Sequence, residues 1–361
     1  MEKILLAGGG HSHIQVLKRL KEEPFKEAEI TLISPSRYQY APDLFPGYAE
    51  GIYNEQEIRQ DLQELAEESG VNWMEGAVLS VDPMQKLALT ANGDILDFDI
   101  ISFNIGSMTK GTDELPFSED IYTIKPNYQF TNAIDSVRDA EKLVIAGGNA
   151  SAVEIASTLH SWRLKQEIHT PITLITGNRT LSDMDDNITK KISHFLRKKG
   201  MRLHIDEDIQ KVTEKSVITR SQGIIFDKLL WLEAPKAPDL FKLSKLPVTD
   251  KGYLSIEETL QVKKYPFIFG AGGCADIAGS RPSRNSILPC VKQGNVLYTN
   301  IKGFLETGEG ELYTDQITNP LVFHLGNKQG FALYKNRSFH GRLPWVLRQF
   351  QNKQLIKMIS K

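Results

Sequence analysis

A chain of 361 residues and 40.6 kDa is too long for one compact core and fits two domains, or one domain interrupted by another. Its composition, 40% hydrophobic and 24% charged with 27 Gly and 16 Pro, is that of a globular protein and excludes long disorder, collagen and coiled coil. With 43 Lys+Arg against 45 Asp+Glu the net charge of −2 offers no field for nucleic acid, so no nucleic-acid partner is expected. Two cysteines, Cys274 and Cys290, make no disulfide framework and suit a reducing, cytoplasmic setting. The apolar run before Gly8 is too short for a signal peptide, and no later run approaches the roughly 18 residues of a spanning helix.

The first element is a strand, Lys3 to Ala7, which runs into three glycines and then into apolar residues at helical spacing, Ile14, Leu17 and Leu20. A second strand, Glu29 to Ser34, follows at the distance a βαβ unit requires. Short strands come next between Val71 and Asp82, then at Leu87 to Thr90 and Ile95 to Phe98, the last two flanking the hairpin turn Asn92-Gly93. The apolar strand Ile100 to Ile105 closes the block. The order then repeats: Lys142 to Ala146, a turn at Gly147-Gly148-Asn149, a helix through Ala152, Ile155 and Leu159, and a strand at Ile172 to Thr176. Val217 to Arg220 and Ile224 to Phe226 flank Gln222-Gly223, and Leu229 to Leu232 matches the earlier closing strand. The glycine turns lie 139 residues apart and Gly93 and Gly223 lie 130 apart, the mark of two copies of one unit. Phe267 to Gly270 and a helix beginning near Val291 complete the first domain after the second was inserted.

The expected fold is therefore α/β, with two Rossmann-like dinucleotide-binding domains, the second inserted in the first, and a small C-terminal region. Residues 1–110 and 256–307 form the first domain, 111–255 the second and 308–361 the C-terminal region. In that last part Leu321 to Leu325 and Gly330 to Tyr334 read as strands, and Arg342 to Lys361 as a basic amphipathic end.

In the dinucleotide fingerprint the first glycine allows a tight turn, the second lets backbone approach the diphosphate, and the third lets helix pack on strand. Gly8 and Gly10 meet the first two demands and His13 replaces the third glycine. The following helix N-terminus, from His11 and Ser12, still offers N–H groups and its dipole to a phosphate. His11 and His13, two apart on a helix, do not face each other as metal ligands; they read as turn residues beside phosphate or as exposed or capping histidines. No metal is expected. Ser34 stands where a ribose-binding acid is usual and can hydrogen-bond a hydroxyl. In the second turn Asn149 tolerates the φ that glycine would supply and Ala152 keeps helix near strand. Arg179 faces either a 2′-phosphate or solvent.

These residues carry a resemblance. GGGHSHIQVL at 8–17, YAPDLFPGYAEGIY at 40–53 and DIISFNIGS at 99–107 resemble the pyridine nucleotide-disulfide oxidoreductase superfamily. Within it the chain is similar to the type II NADH dehydrogenase-like and sulfide:quinone-reductase-like branch, above all to the flavoprotein-like domain fused to selenide water dikinases. GYLSIEETLQV at 252–262, IFGAGGCADI at 268–277 and Lys292-Gln293-Gly294 extend it over most of the chain. The resemblance implies FAD, its diphosphate held by Gly8, Gly10 and the turn to His13, with Tyr40 to Gly47, including Pro46, near the isoalloxazine. It implies Gly106, Gly272, Gly273 and Cys274 at the same cofactor, Lys292 to Gly294 beginning a helix aimed at the flavin, and Gly147 to Glu154 facing NAD(P)H. Electrons would pass from the nicotinamide nucleotide to a quinone or other acceptor, with the chemistry belonging to the cofactor and no catalytic triad needed.

The departures point to an alternative, a non-catalytic relative acting as scaffold or ligand sensor. The family's Gly-Asp pair is Gly272-Gly273 here, with Asp276 three residues on, and Glu233-Ala234-Pro235 replaces a small flexible turn. No cysteine pair lies on the first helix, which excludes dithiol exchange by that route. Cys274 and Cys290 read as small buried residues or, by the resemblance, as neighbours of the flavin in sulfide or selenium-linked chemistry. The tail carries Arg342, Arg348, Lys353, Lys357 and Lys361 without an acid, and suits either packing on the body or an anionic membrane on its inner face, where quinone is found.

Overall fold

The computed structural model describes residues 1–177, 180–181, 184–277, 287–314, 320–334 and 337–359. Chain contacts divide it into two compact units, Met1–Pro42 with Gln60–Met108 and Lys236–Ile317, and Asp43–Arg59 with Thr109–Pro235 and Thr318–Lys361. This grouping takes residues 236–255 into the first unit, and 43–59 and the C-terminal strands and helix into the second.

In the first unit, strands β1 (Glu2–Ala7), β2 (Ala28–Ser34), β3 (Asn72–Glu75) and β4 (Ile100–Phe103) form a sheet in the order Gln261–Val262, Tyr265–Gly270, β4, β1, β2, β3. All neighbours run parallel except the antiparallel edge at Gln261–Val262. A parallel strand covered on both faces has no polar side, which is why KILLA reads as an unbroken apolar run. Leu6, Leu32, Ile101 and Phe103 are among its fully buried side chains, each worth about 1.5–3 kcal/mol by removal from water. Helix α1 (His11–Glu22) buries Ile14, Val16, Leu17 and Leu20 and puts Arg19 and Lys21 in its last turn, where they suit the dipole. It packs on the long helix Ile287–Glu306, and a Cβ on Gly294 would lie 2.5 Å from the Ser12 carbonyl oxygen. The backbones meet there, so only glycine fits.

The second unit repeats the plan. Strands β5 (Ile121–Thr123), β6 (Leu143–Ala146), β7 (Thr173–Thr176), β8 (Arg202–Ile205) and β9 (Lys228–Trp231) form a wholly parallel sheet in the order β5, β9, β6, β7, β8. Helix α2 (Ala150–Lys165) follows β6 as α1 follows β1. Each unit also carries a three-stranded antiparallel sheet, from Val78–Asp82, Leu87–Thr90 and Ile95–Asp97 and from Ile209–Val212, Ser216–Thr219 and Gly223–Ile225. The expected two-domain Rossmann-like α/β fold is thus present. Gly93 adopts φ +89° in its turn, but Gly223 pairs with Ile218 in the ladder, because Thr219 and Gln222 close the second turn between them.

In the second unit the strands Leu321–His324, Gly330–Tyr334 and Arg337–Gly341 form an antiparallel sheet followed by helix α3 (Arg342–Ile359). The helix buries Pro344 and Leu355, yet part of its inward face is polar. Trp345, Arg348, Gln349 and Asn352, at spacings of three and four, face inward, and Asn352 is 1% exposed. Arg348 donates to the Asp43 carbonyl at 3.0 Å, Tyr53 donates its hydroxyl proton to Gln349 at 2.9 Å, and Asn352 donates to that hydroxyl at 3.3 Å. Leu343, Val346, Leu347 and Phe350, at the same spacings, face out, Leu343 being 83% exposed. No helix among the described residues is long and apolar enough to cross a membrane.

Candidate functional site

The first unit's site is built on the turn between β1 and α1. Gly8 takes φ +92°, and a Cβ there would lie 2.6 Å from the Asn104 carbonyl oxygen. A Cβ on Gly9 would meet Leu62 at 2.2 Å, with the Ser34 hydroxyl 3.2 Å away, and one on Gly10 would meet the Asn104 side-chain oxygen at 2.2 Å. The turn therefore exists only without side chains, as the diphosphate fingerprint requires. Gly10 caps α1 without any side chain of its own.

Asn104, just beyond β4, organises this turn. Its Oδ1 accepts the Ser12 and His13 amides at 3.0 and 3.3 Å, its carbonyl accepts Gly10 N–H at 3.1 Å, and its Nδ2 donates to the Ala271 carbonyl at 2.7 Å. Sequence reasoning missed it, since its partners lie 91 to 167 residues away.

The histidines divide. His13 is 0% exposed, with Nδ1 2.6 Å from the Gly8 carbonyl and Nε2 2.8 Å from the Ser102 hydroxyl, so both ring nitrogens are engaged in the core. It ties the turn to β4 where glycine would otherwise bring helix and strand together. His11 opens α1. Burial lowers both imidazoles to about 4, so neither carries charge toward an anion near neutral pH. The Ser12 hydroxyl donates to the Cys290 carbonyl at 2.9 Å. Ser34 is 5% exposed and donates its hydroxyl proton to the Ser36 carbonyl at 3.1 Å, so that proton is already used within the chain. Tyr40 is buried in this unit; Pro46 is buried in the second unit's short helix Phe45–Ala49.

Gly106 adopts φ +73° with open space where a Cβ would be. Gly272 adopts φ +70° and donates its amide to Gln293 at 2.7 Å. A Cβ on Gly273 would find its nearest neighbour 3.8 Å away, so a side chain fits there. Cys274 is fully buried, its thiol against the Ala271 and Phe103 carbonyls, and burial pushes it up to about 11. That thiol stays protonated at neutral pH. Lys292, Gln293 and Gly294 do not begin a helix: Ile287–Glu306 is already helical from Ile287, which puts them more than a turn inside.

In the second unit Gly147 takes φ +139°, and a Cβ there would lie 2.3 Å from the Leu232 carbonyl oxygen. Asn149 caps α2, its Oδ1 accepting Ala152 N–H at 3.0 Å and its Nδ2 donating to the Leu232 carbonyl at 2.6 Å. A carboxamide thus stands at the mouth of the helix that follows the glycine turn in both units, supplied by Asn104 in one and Asn149 in the other. Ala152 is fully buried. Burial pushes the Glu233 carboxyl up, and Ala234 accepts a hydrogen bond from Lys110 N–H. Glu154 lies one turn into α2 and accepts His324 N–H at 2.7 Å; burial pushes its carboxyl up. Arg179 lies outside the described residues. Among those described, no group of His, Cys, Asp and Glu is placed to hold a metal ion.

Comparison with known proteins agrees with this geometry. The chain is 23% identical over 359 residues to the NADH dehydrogenase-like protein YutJ of Bacillus subtilis, covering 96% of this chain and 97% of that one. It is also 23% identical over 374 residues to a type II NADH:quinone oxidoreductase of Staphylococcus saprophyticus, covering 94% and 92%. Among solved structures it shares its fold with NDH2 from Plasmodium falciparum in complex with NADH, at a TM-score of 0.79 and 14% identity over 98% of this chain and 94% of that one. The sulfide:quinone oxidoreductase of Aquifex aeolicus matches at 0.76 and 16% identity, over 99% and 91%. Residues 2–294 match the family described as Pyridine nucleotide-disulphide oxidoreductase, and the chain belongs to that family.

Proposed function

We propose that this protein is an FAD-dependent NAD(P)H oxidoreductase of the NADH dehydrogenase-like kind, passing electrons from a nicotinamide nucleotide to a quinone. The observation that carries the reading is the pair of side-chain-free turns, Gly8–Gly10 and Gly147–Gly148, each at the end of a central parallel strand and each opening a helix. The first keeps the strand, glycine turn and helix N-terminus of a dinucleotide site; since the amides of Gly8, Gly10, Ser12 and His13 are already bonded to Ile33 and Asn104 within the fold, it is the N-terminal dipole of α1 that would attract the diphosphate. Gly8, Gly10 and the N-terminus of α1 would hold FAD, with Gly106, Gly272, Gly273 and Gln293 beside it; Asn149, Ala152 and Glu154 would face NAD(P)H. Bound FAD would supply the two-electron chemistry, while the chain's residues bind and orient.

Quinone is lipid-soluble, and α3 supports contact with a membrane surface. Its outward stripe of Leu343, Val346, Leu347 and Phe350 is flanked by exposed Arg342, Lys353 and Lys357, an apolar face with cations at its margins.

Absorbance of the purified protein tests the reading. Yellow flavin bands bleached anaerobically by NADH or NADPH are expected. A preparation that stays colourless after FAD is added would remove the enzyme and leave the scaffold. That second reading draws its support from the Ser34 hydroxyl, already used within the chain, and from Gly273, where the carboxylate anchors of the family are missing.

A further inference from the structure

Three glycines at the expected FAD site are shaped around one residue of the chain itself. A Cβ on Gly8 would lie 2.6 Å from the Asn104 carbonyl oxygen, one on Gly10 would lie 2.2 Å from Asn104 Oδ1, and one on Gly272 would lie 2.5 Å from Asn104 Nδ2. Leu62 takes Gly9 in the same way, its Cδ1 standing 2.2 Å from the position of a Cβ. Asn104 is 4% exposed and Leu62 1%, and both belong to the same unit as the turn. The close approach to backbone that these glycines permit is therefore made by Asn104 and Leu62.

The bonding is that of a ligand. The first amides of a helix have no partner within it and take an acceptor from a side chain or a bound anion. Gly10 caps α1 without a side chain, so the acceptors come from Asn104: its Oδ1 takes the Ser12 and His13 amides at 3.0 and 3.3 Å, and its carbonyl takes Gly10 N–H at 3.1 Å. One oxygen shared by two successive amides at a helix N-terminus is what a phosphate supplies at such a place. The carboxamide is neutral, and charge-assisted hydrogen bonds are roughly twice as strong as neutral ones. A diphosphate can thus replace it, at the cost of the bonds that Asn104 gives up, among them Nδ2 to the Ala271 carbonyl at 2.7 Å. Asn104 opens the irregular stretch 104–107, where Gly106 adopts φ +73° with open space around it, so the backbone there can turn without a side-chain clash.

We propose that Asn104 is an internal stand-in for the FAD diphosphate, with Leu62 as its apolar partner over Gly9, and that FAD binds by displacing the two side chains. The proposal rests on the reading of this turn as the FAD site. Affinity is then set by how readily the two residues withdraw: a turn open in about one molecule in a hundred binds about a hundredfold more weakly than one already open.

Thermal unfolding and a fluorescence-quenching titration of the full chain with FAD test this. N104A is expected to melt below wild type without FAD, to regain most of that loss with FAD, and to bind FAD at least tenfold more tightly (~tenfold or more by the same population argument). L62A is expected to shift FAD affinity in the same direction. A crystal structure of the FAD-loaded wild-type chain, which needs no variant to fold, is expected to show the Ser12 and His13 amides released from Asn104. N104A losing stability equally with and without FAD, or binding FAD no more tightly than wild type, would make Asn104 a structural cap and overturn the proposal. A loaded structure in which Asn104 still holds both amides would do the same. Failure of wild type and both variants to bind FAD would overturn the FAD reading of the turn, and the displacement with it.

Discussion

The side-chain oxygen of Asn104 lies 3.0 Å from the Ser12 amide nitrogen, bringing the end of β4 to the mouth of α1. With its bonds to His13, Gly10 and Ala271, this one carboxamide fixes the shape of the first glycine turn. Asn104→Ala leaves two helix amides without an acceptor and is expected to cost about 2 kcal/mol in urea unfolding. Asn104→Asp keeps the acceptor but sets an anion where a diphosphate must approach. It also turns the bond to the Ala271 carbonyl into a repulsion and so costs stability as well; measured under conditions where the variant is folded, FAD binding is expected to weaken at least tenfold, and equal FAD affinity in wild type and Asp variant would count against the turn as the diphosphate site.

Gly273 has open space where its side chain would be. Gly273→Asp is expected to fold normally and to bind FAD about tenfold tighter, or about 1.4 kcal/mol, in a fluorescence-quenching titration. Unchanged affinity would mean that the lost carboxylate is not the weak point of the site.

The buried imidazole of His13 makes stability depend on pH. Its folded value, about 4, lies below the unfolded 6.5, so the unfolded chain binds more protons between them. Stability should therefore rise with pH across that window and be flat on either side as far as His13 is concerned. The fall on acidification is on the order of 3 kcal/mol. Urea midpoints from pH 4 to 7 measure it, and His13→Gln should flatten the slope; an unchanged slope would assign it to other groups.

Deleting α3 would strip Asp43 and Tyr53 of their partners, so substitutions on its outer face make the cleaner test of membrane contact. The double variant Leu343→Glu, Phe350→Glu should keep its melting temperature within a few degrees and lose most co-sedimentation with anionic liposomes. Retained sedimentation would reject the stripe as the contact.

Much of this fold was legible because parallel strands are contiguous apolar runs and tight turns demand glycine, so KILLA-GGG and KLVIA-GG announced themselves twice. What stayed hidden depends on long-range partners. Nothing local in Asn104-Ile105-Gly106 says that the amide reaches Ser12, and nothing around Glu50 points to His324, 274 residues on. His13 was read as a phosphate neighbour because the turn's spacing is visible in sequence and the Ser102 hydroxyl that claims its ring is not. For α3 the periodicity revealed two faces but not which one packs; Asp43 and Tyr53, from the far end of the chain, decide that.

The repeated sheet has a consequence for how the molecule breathes. In β1 the amides of Ile4–Ala7 sit in a strand flanked on both sides, and those of Leu143–Ala146 sit in an equivalent place in β6, every one of these residues being buried. Local fraying reaches neither, so in heavy water both segments should keep their protons longest. Deuterium uptake would then show two islands of late exchange, one for each copy of the ancestral half.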